Sequence, residues 1–516
     1  MIKRNRSQFD FFTQEVYNKL LPKDHQLVKI DQLVDFESVY KKMSLLYSDI
    51  GRGSKDPIMM VKIMLLEYLY LYSDVQMEKA IQTDIAIRWF LRLNLDEKGP
   101  DASTISYFRV KRLTENDTEQ FFNKIVSLGI EKGAIKSNRF IVDTTDVAAN
   151  SNYPSEKKLI YSAFENLVKR VEKKDSLTAI NLRAQLTESV NSLKESSDDY
   201  SVRDLALEVR KIVEIIPPQR MKTLIQDKGF EKAFRLLFDL LQQQFSSGGN
   251  KIVSVVDPDA RVAHKSPGNV KKGYKNHIMI DEDSEIIISS IQTPLNVKDE
   301  KKLIEIIEKV EHDHGLKPSE VSCDRIYGTY ENRQYLEERN IVGNIAFYDN
   351  SNKESHYFGI DDFKVSDDLE YVICPAGHKT YNYTYYTRGL ESHEGELIFK
   401  FSKDKCKKCP LNDLCVRRKK DAKSPGVRSL RVDPRYATAI KAKRYIETKA
   451  CQTALNRRSI VERRFATLVR NHGMRRSRFL GITGASKHIM LANTACNIVR
   501  LLKILQQPNC DTLNFT

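Results

Sequence analysis

At 516 residues the chain is long enough to bury more than one core, so two or three domains are expected. Lysine plus arginine outnumber aspartate plus glutamate, 84 to 69, giving a net charge of +15; that balance favours a polyanionic partner, nucleic acid first, and an ordinary basic soluble protein is the plain alternative. Eight cysteines in so long a chain argue against a disulfide framework, and the most apolar stretch, Ile58 to Tyr72, is broken by Lys62 and Glu67, which argues against a membrane span. With no signal-peptide pattern in the first residues, a cytoplasmic location with reduced thiols is expected.

Residues 1–136 read as a helical N-terminal domain for DNA binding or dimerisation. Met59 to Leu71 is rich in Met, Leu, Ile and Tyr, Ser73-Asp74 offers an N-cap, and the helix it starts is expected to run to Trp89 and Phe90. Asp101 and Ser103 are candidate caps for a helix carrying Ile105, Phe108 and Leu113. At Arg139 the pattern turns to strands. Phe140 to Val142 form an apolar run ending at Asp143, and Tyr274 to Ile280 and Glu285 to Ile291 flank Asp281-Glu-Asp-Ser284 as a hairpin. Leu303, Ile306, Ile307 and Val310 give residues 298–313 a helical face, Val321 to Cys323 lead into Asp324, and a helix from Tyr330 and a strand from Ile341 follow.

That order, closed by a helix carrying Glu462, is the succession of a ribonuclease H-like mixed α/β sheet. Residues 137–348 and 450–505 would form it, with Asp143 and Asp324 on adjacent strands. Two stretches are too long to be structureless loops and read as insertions. Residues 154–250 carry helical repeats at Ile160, Phe164, Leu167 and Val171 and at Leu205, Val209 and Ile212, ended by Pro217-Pro218. This amphipathic pair reads as a packing arm, and more weakly as a DNA clamp or dimer contact. Residues 349–449 carry Cys374, Cys406, Cys409 and Cys415. Four thiolates suit a tetrahedral Zn²⁺ site; ordinary thiols in a lysine-rich loop are the alternative. Arg417, Arg418, Lys419 and Lys420 follow directly and suit contact with phosphates. The tyrosines at 381, 383, 385 and 386 read as a small sheet.

Asp143, Asp324 and Glu462 are hard oxygen ligands of the kind Mg²⁺ or Mn²⁺ takes, and would form a metal triad for phosphodiester chemistry. Each also has a plain reading: Asp at a strand end caps turns, and Arg458 with Glu462 at i, i+4 makes a surface ion pair of about 0.3 to 0.5 kcal/mol. Against the latter stand the further arginines of that region, among them Arg463, Arg470, Arg475 and Arg476, which suit DNA. Asp146, Asp257, Asp259 and Asp281 are rival carboxylates; Asp281 reads as a hairpin residue, Asp257 and Asp259 as ordering the substrate side or starting a turn.

Several separated motifs carry a resemblance. Gly53-Ser-Lys-Asp-Pro57, Trp89-Phe90, Pro100-Asp-Ala-Ser-Thr104 and Phe108-Arg109 resemble the helical N-terminal domain of bacterial insertion-sequence transposases. Asp257-Pro-Asp-Ala-Arg261, Gly273-Tyr-Lys-Asn276, Asp324 with Tyr327, and Arg458 with Glu462 and Phe465 resemble their DDE catalytic domain. The resemblance implies a cut-and-paste enzyme that cleaves phosphodiesters at the terminal inverted repeats of a mobile element. It would join the 3′-hydroxyl ends to target DNA by two-metal-ion catalysis, as a homodimer on double-stranded DNA. It implies the triad Asp143, Asp324 and Glu462 as catalytic metal ligands and Arg458 holding a phosphate. The chain departs from the family's pattern at Leu455, Ile326 and Val469, where Tyr, Gly and Lys are usual. A transposase-derived DNA-binding protein without activity and a metal nuclease without strand transfer are the alternatives.

Overall fold

The computed structural model describes residues 8–37, 55–197, 199–246, 248, 250–266, 268–347, 357–387, 395–416 and 426–507. The Gly53-Ser54 half of the first motif and the basic run from Arg417 to Lys420 lie outside them.

The N-terminal part is helical because nearly every helix has a side-chain cap. Asp10, Asp56, Asp84 and Asp101 each accept a backbone N–H at a helix start, and Ser73 with Gln76 and Thr114 with Asp117 form capping boxes. Ser103 caps nothing; it donates to Asp101. The helix expected to end at Trp89-Phe90 is two: Asp74–Thr83 stops and Asp84 restarts the chain as Ile85–Phe90. The Pro57–Leu69 helix is buried almost all round, Lys62 and Glu67 included. Lys62 is tolerated because its ammonium reaches Asp31 at 2.6 Å and the Phe90 carbonyl at 2.9 Å.

The sheet begins with β1 (Arg139–Ala148). The antiparallel β3 (Asn269–Asp281) lies on one side of it, and β5 (Glu320–Cys323) runs parallel on the other, followed by parallel β6 (Val342–Ile345). The far edge of β3 is shared by β4 (Ile287–Pro294), opposite its second half, and β2 (Arg261–Ser266), opposite its first. Val142 pairs with Cys323, so the next residue on each strand, Asp143 and Asp324, emerges at the same level. Gly273 of β3 has φ +145°, and a Cβ there would lie 2.2 Å from the Val147 carbonyl, so only glycine lets β3 approach β1 this closely.

The last helix, Gly481–Leu505, is apolar and long enough to cross a membrane by composition, yet it is the core helix, packed on the Pro57–Leu69 and Glu115–Glu131 helices and on β4. It ties the helical part to the sheet: one buried cluster runs from Leu27 through Phe90 and Phe140 to Leu502.

Residues 154–250 are more than the expected helix pair. Among the described residues they hold five helices, Glu156–Glu172, Ser176–Ser196, Val202–Glu214, Pro218–Ile225 and Lys228–Gln242, around a separate core that includes Phe164, Leu167, Val209, Phe230 and Leu237. Pro217-Pro218 ends one helix and starts the next, since proline at the first turn forfeits only an N–H with no helical partner. Among the described residues the second insertion holds two three-stranded sheets, Lys364–Val365, Val372–Ile373 and Lys379–Thr380, and Tyr383–Thr387, Gly395–Lys400 and Ser429–Val432; Tyr383, Tyr385 and Tyr386 of the tyrosine run lie in a strand, and Tyr381 just before it.

Candidate active site

Asp143 sits on β1 where the apolar run gives way to threonines. One carboxylate oxygen accepts the Thr144 N–H at 2.8 Å and the other accepts from Arg458 Nη1 at 2.9 Å. Burial pushes its pKa up to about 6, opposed by the Thr144 N–H and by the Arg458 guanidinium; the negative charges of Asp324 and Asp299 push it further up. Asp324 is exposed at the end of β5, where Oδ1 accepts the Arg325 N–H at 2.7 Å and caps the turn Arg325–Tyr327. The turn-capping reading of Asp324 is thus met by Oδ1, and strand register sets the residue level with Asp143.

Arg458 reaches the pair from a break in the chain. The Lys449–Arg457 helix ends there and Ile460–Asn471 begins two residues later, so the expected i, i+4 pairing gives way to a bridge from Arg458 to Asp143. Glu462 stands exposed in the first turn of that second helix, where the helix dipole favours a negative charge. The structure thus brings Asp143 and Asp324 together and leaves Glu462 on the adjoining helix. Among the described residues no three Asp, Glu, His or Cys side chains are close enough to hold a metal ion. By donor type the carboxylates suit Mg²⁺ or Mn²⁺; in this arrangement a guanidinium supplies the positive charge at Asp143 instead.

Sequence reasoning missed the groups around the pair. Asp299, just after β4, bonds Lys275 at 2.7 Å. Thr144 bonds both His277 Nδ1 and the Tyr327 hydroxyl at 2.8 Å, and His277 Nε2 bonds Thr293 at 2.9 Å, a buried relay across β1, β3 and β4 next to Asp143. Burial pushes the His277 pKa down to about 3 and raises that of Tyr327, so both are neutral near pH 7. No local signal marks them: Thr144, His277 and Thr293 stand among other polar residues of their strands, such as Thr145, Asn276 and Gln292.

The rival carboxylates have other partners. Asp257 accepts from the Tyr274 hydroxyl and the Gly481 N–H, and Asp259 from the Ile482 N–H, so both cap the last helix. Asp281 accepts the Ser284 N–H within the hairpin, and Asp146 pairs with Lys271 at 2.8 Å. Asn276 joins Ser290 and Asn493 between sheet and helix.

Much of the arginine excess is structural. Arg457 pairs with Glu282, and Arg463, Arg464 and Arg500 all pair with Glu285, pinning the terminal helices to the β3–β4 turn. Arg470, Arg475 and Arg476 are exposed, the last two beside the end of β1, where the Arg475 carbonyl accepts the Ala148 N–H at 3.0 Å.

Two family models match the chain. Residues 15–111 match a Transposase domain (DUF772), which takes in most of the helical part, and residues 373–502 match a Transposase DDE domain, which includes the four cysteines, Arg458 and Glu462. Asp143 and Asp324 lie upstream of the second match, and their pairing is a finding of the fold. The two matches, in the order in which the motifs occur, support a DDE transposase of an insertion sequence, an enzyme acting on DNA.

Proposed function

We propose that the chain cleaves phosphodiesters at the terminal inverted repeats of a mobile element and joins the freed 3′-hydroxyls to target DNA, working as a homodimer on DNA. The observation that carries this is the level pairing of Asp143 and Asp324 on neighbouring parallel strands, with Arg458 drawn onto Asp143 from the segment leading to Glu462. A ribonuclease H-like reading of the sheet is supported by its order, a central β1 between antiparallel β3 and parallel β5.

Asp143 and Asp324 would hold divalent cations, with Glu462 as the ligand from the adjoining helix. When bound, such ions would offset the charge that develops on the attacking and leaving oxygens. The protein's own part is positional. Arg458 stands where its planar fork can move from Asp143 to a phosphate, which a lysine cannot grip in two directions. The Thr144 relay of neutral groups keeps β1 rigid without adding charge beside the pair. The exposed Arg470, Arg475 and Arg476, together with Arg417 to Lys420, would follow the DNA backbone.

The test separates binding from cutting. With labelled inverted-repeat ends and Mg²⁺, Asp324→Asn should bind DNA as the parent does and yield neither nicked ends nor strand-transfer products. Retained cleavage in that variant would overturn the proposed site. A parent protein that nicks but never joins would reduce the function to a nuclease.

A further inference from the structure

We infer that the second insertion contains a structural zinc site, with Cys374, Cys406, Cys409 and Cys415 as its four ligands. All four side chains line one cavity, and none of them is in a disulfide. They come from three short segments, each braced by bonds that leave the sulfurs to the cavity. Cys374 opens a tight turn between two strands: its N–H donates to the His378 carbonyl at 2.9 Å, and its carbonyl accepts the Gly377 N–H at 2.8 Å, with Gly377 at φ +81°. The same turn aims the His378 N–H at Cys374 Sγ, 3.3 Å away.

Cys406 and Cys409 stand at the end of the Lys403–Lys407 helix and Cys415 ends the Asn412–Cys415 helix. The Asn412 amide clamps these segments by donating to the Cys406 carbonyl at 2.8 Å and to the Gly426 carbonyl at 3.0 Å, while Arg428 holds the Cys415 carbonyl at 3.2 Å.

Four soft thiolates with no open position select zinc in a closed, four-coordinate site rather than a hard cation. Lys379, Lys400 and Lys405 line the same cavity and offset the excess negative charge of four thiolates around one divalent ion. The need is also visible: among the described residues this part of the chain has a core of only seven buried side chains, Phe363, Phe399, Phe401 and Tyr436 the largest, too few to hold such a segment without a staple. The sulfurs ring the cavity without yet meeting at a point. Bonds of about 2.3 Å would draw the Cys406–Cys415 segment onto the Cys374 turn, so metal binding and final folding of the insertion are coupled.

The test needs no DNA, so its failure is distinct from failure of the proposed catalysis. Full-length protein, reconstituted with zinc and freed of loose metal, should carry one zinc per chain by elemental analysis. Replacing zinc by Co²⁺ should give the thiolate charge-transfer and tetrahedral d–d bands of a sulfur-rich site. The double variant C406S/C409S should lose the metal and the bands, and Cys451→Ser, at a buried thiol elsewhere, should keep both. If the double variant does not fold, a mercurial titration of the parent gives the same answer: zinc should leave in step with modification of four thiols. Folded parent protein that binds no zinc, or cobalt bound without charge-transfer bands, would overturn the site.

Discussion

Glu67 shows how much one buried residue can impose on the molecule. Its carboxylate is wholly buried, neither oxygen has a hydrogen bond, and Arg109 and Arg478 approach only to 3.7 and 3.6 Å. Burial pushes its pKa up to about 8, with the two arginines opposing and Asp74 adding to the rise. A group whose folded pKa lies above its unfolded value contributes stability that is complete below the ordinary carboxylate range and is lost as pH rises through about 8. Glu67→Gln should therefore flatten the decline, with a difference on the order of a few kcal/mol across that window by urea unfolding at a series of pH values. Parallel curves for the two proteins would show that Glu67 is already ionised. At the site itself, Arg458→Lys should leave folding intact and lower cleavage about tenfold, the cost of one charge-assisted hydrogen bond of ~1.4 kcal/mol, read from single-turnover rates. The strand-end carboxylates were legible because an apolar run ending in Asp is a local pattern. Asp299, Thr144 and His277 were not, because their nearness to Asp143 depends on strand register.

At the scale of elements, the caps were readable where cap and helix are neighbours, as at Ser73 and Asp101. The last helix escapes that logic. Leu480 at its cap position makes no side-chain bond, and Asp257 and Asp259 serve its first two N–H groups from more than 200 residues away in sequence. Asp259→Ala should cost about 1 kcal/mol by chemical unfolding, as other lost caps do, and leave DNA cleavage per folded molecule unchanged. A loss of cleavage with unchanged stability would instead give Asp259 a part on the substrate side. The break at Arg458–Ser459 was equally hidden. Nothing in the local sequence, rich in good helix formers, announces it, and the pull of Asp143 on Arg458 is a tertiary force.

At the scale of the whole molecule, the helical N-terminal part and the sheet share one core, whereas the 154–250 helices have their own. Phe164→Ala should therefore remove about 3 to 5 kcal/mol from the insertion alone, visible as an early transition in calorimetry that leaves the main one in place, while Phe140→Ala should lower the main transition. A single transition shifted equally by both would mean that the two cores unfold together. The sequence by itself pointed to DNA as the partner class, to the helix-to-strand change at Arg139 and to the family resemblance, since charge, hydrophobic period and motif order are properties of the chain read locally. Only the tertiary structure decided that Asp143 meets Asp324 beneath Arg458 while Glu462 stays on the adjoining helix, that Arg457, Arg463, Arg464 and Arg500 bind Glu282 and Glu285, and that four distant thiols share a cavity. Those facts depend on contacts between residues far apart in sequence, which register, helix breaks and packing fix and no local pattern encodes.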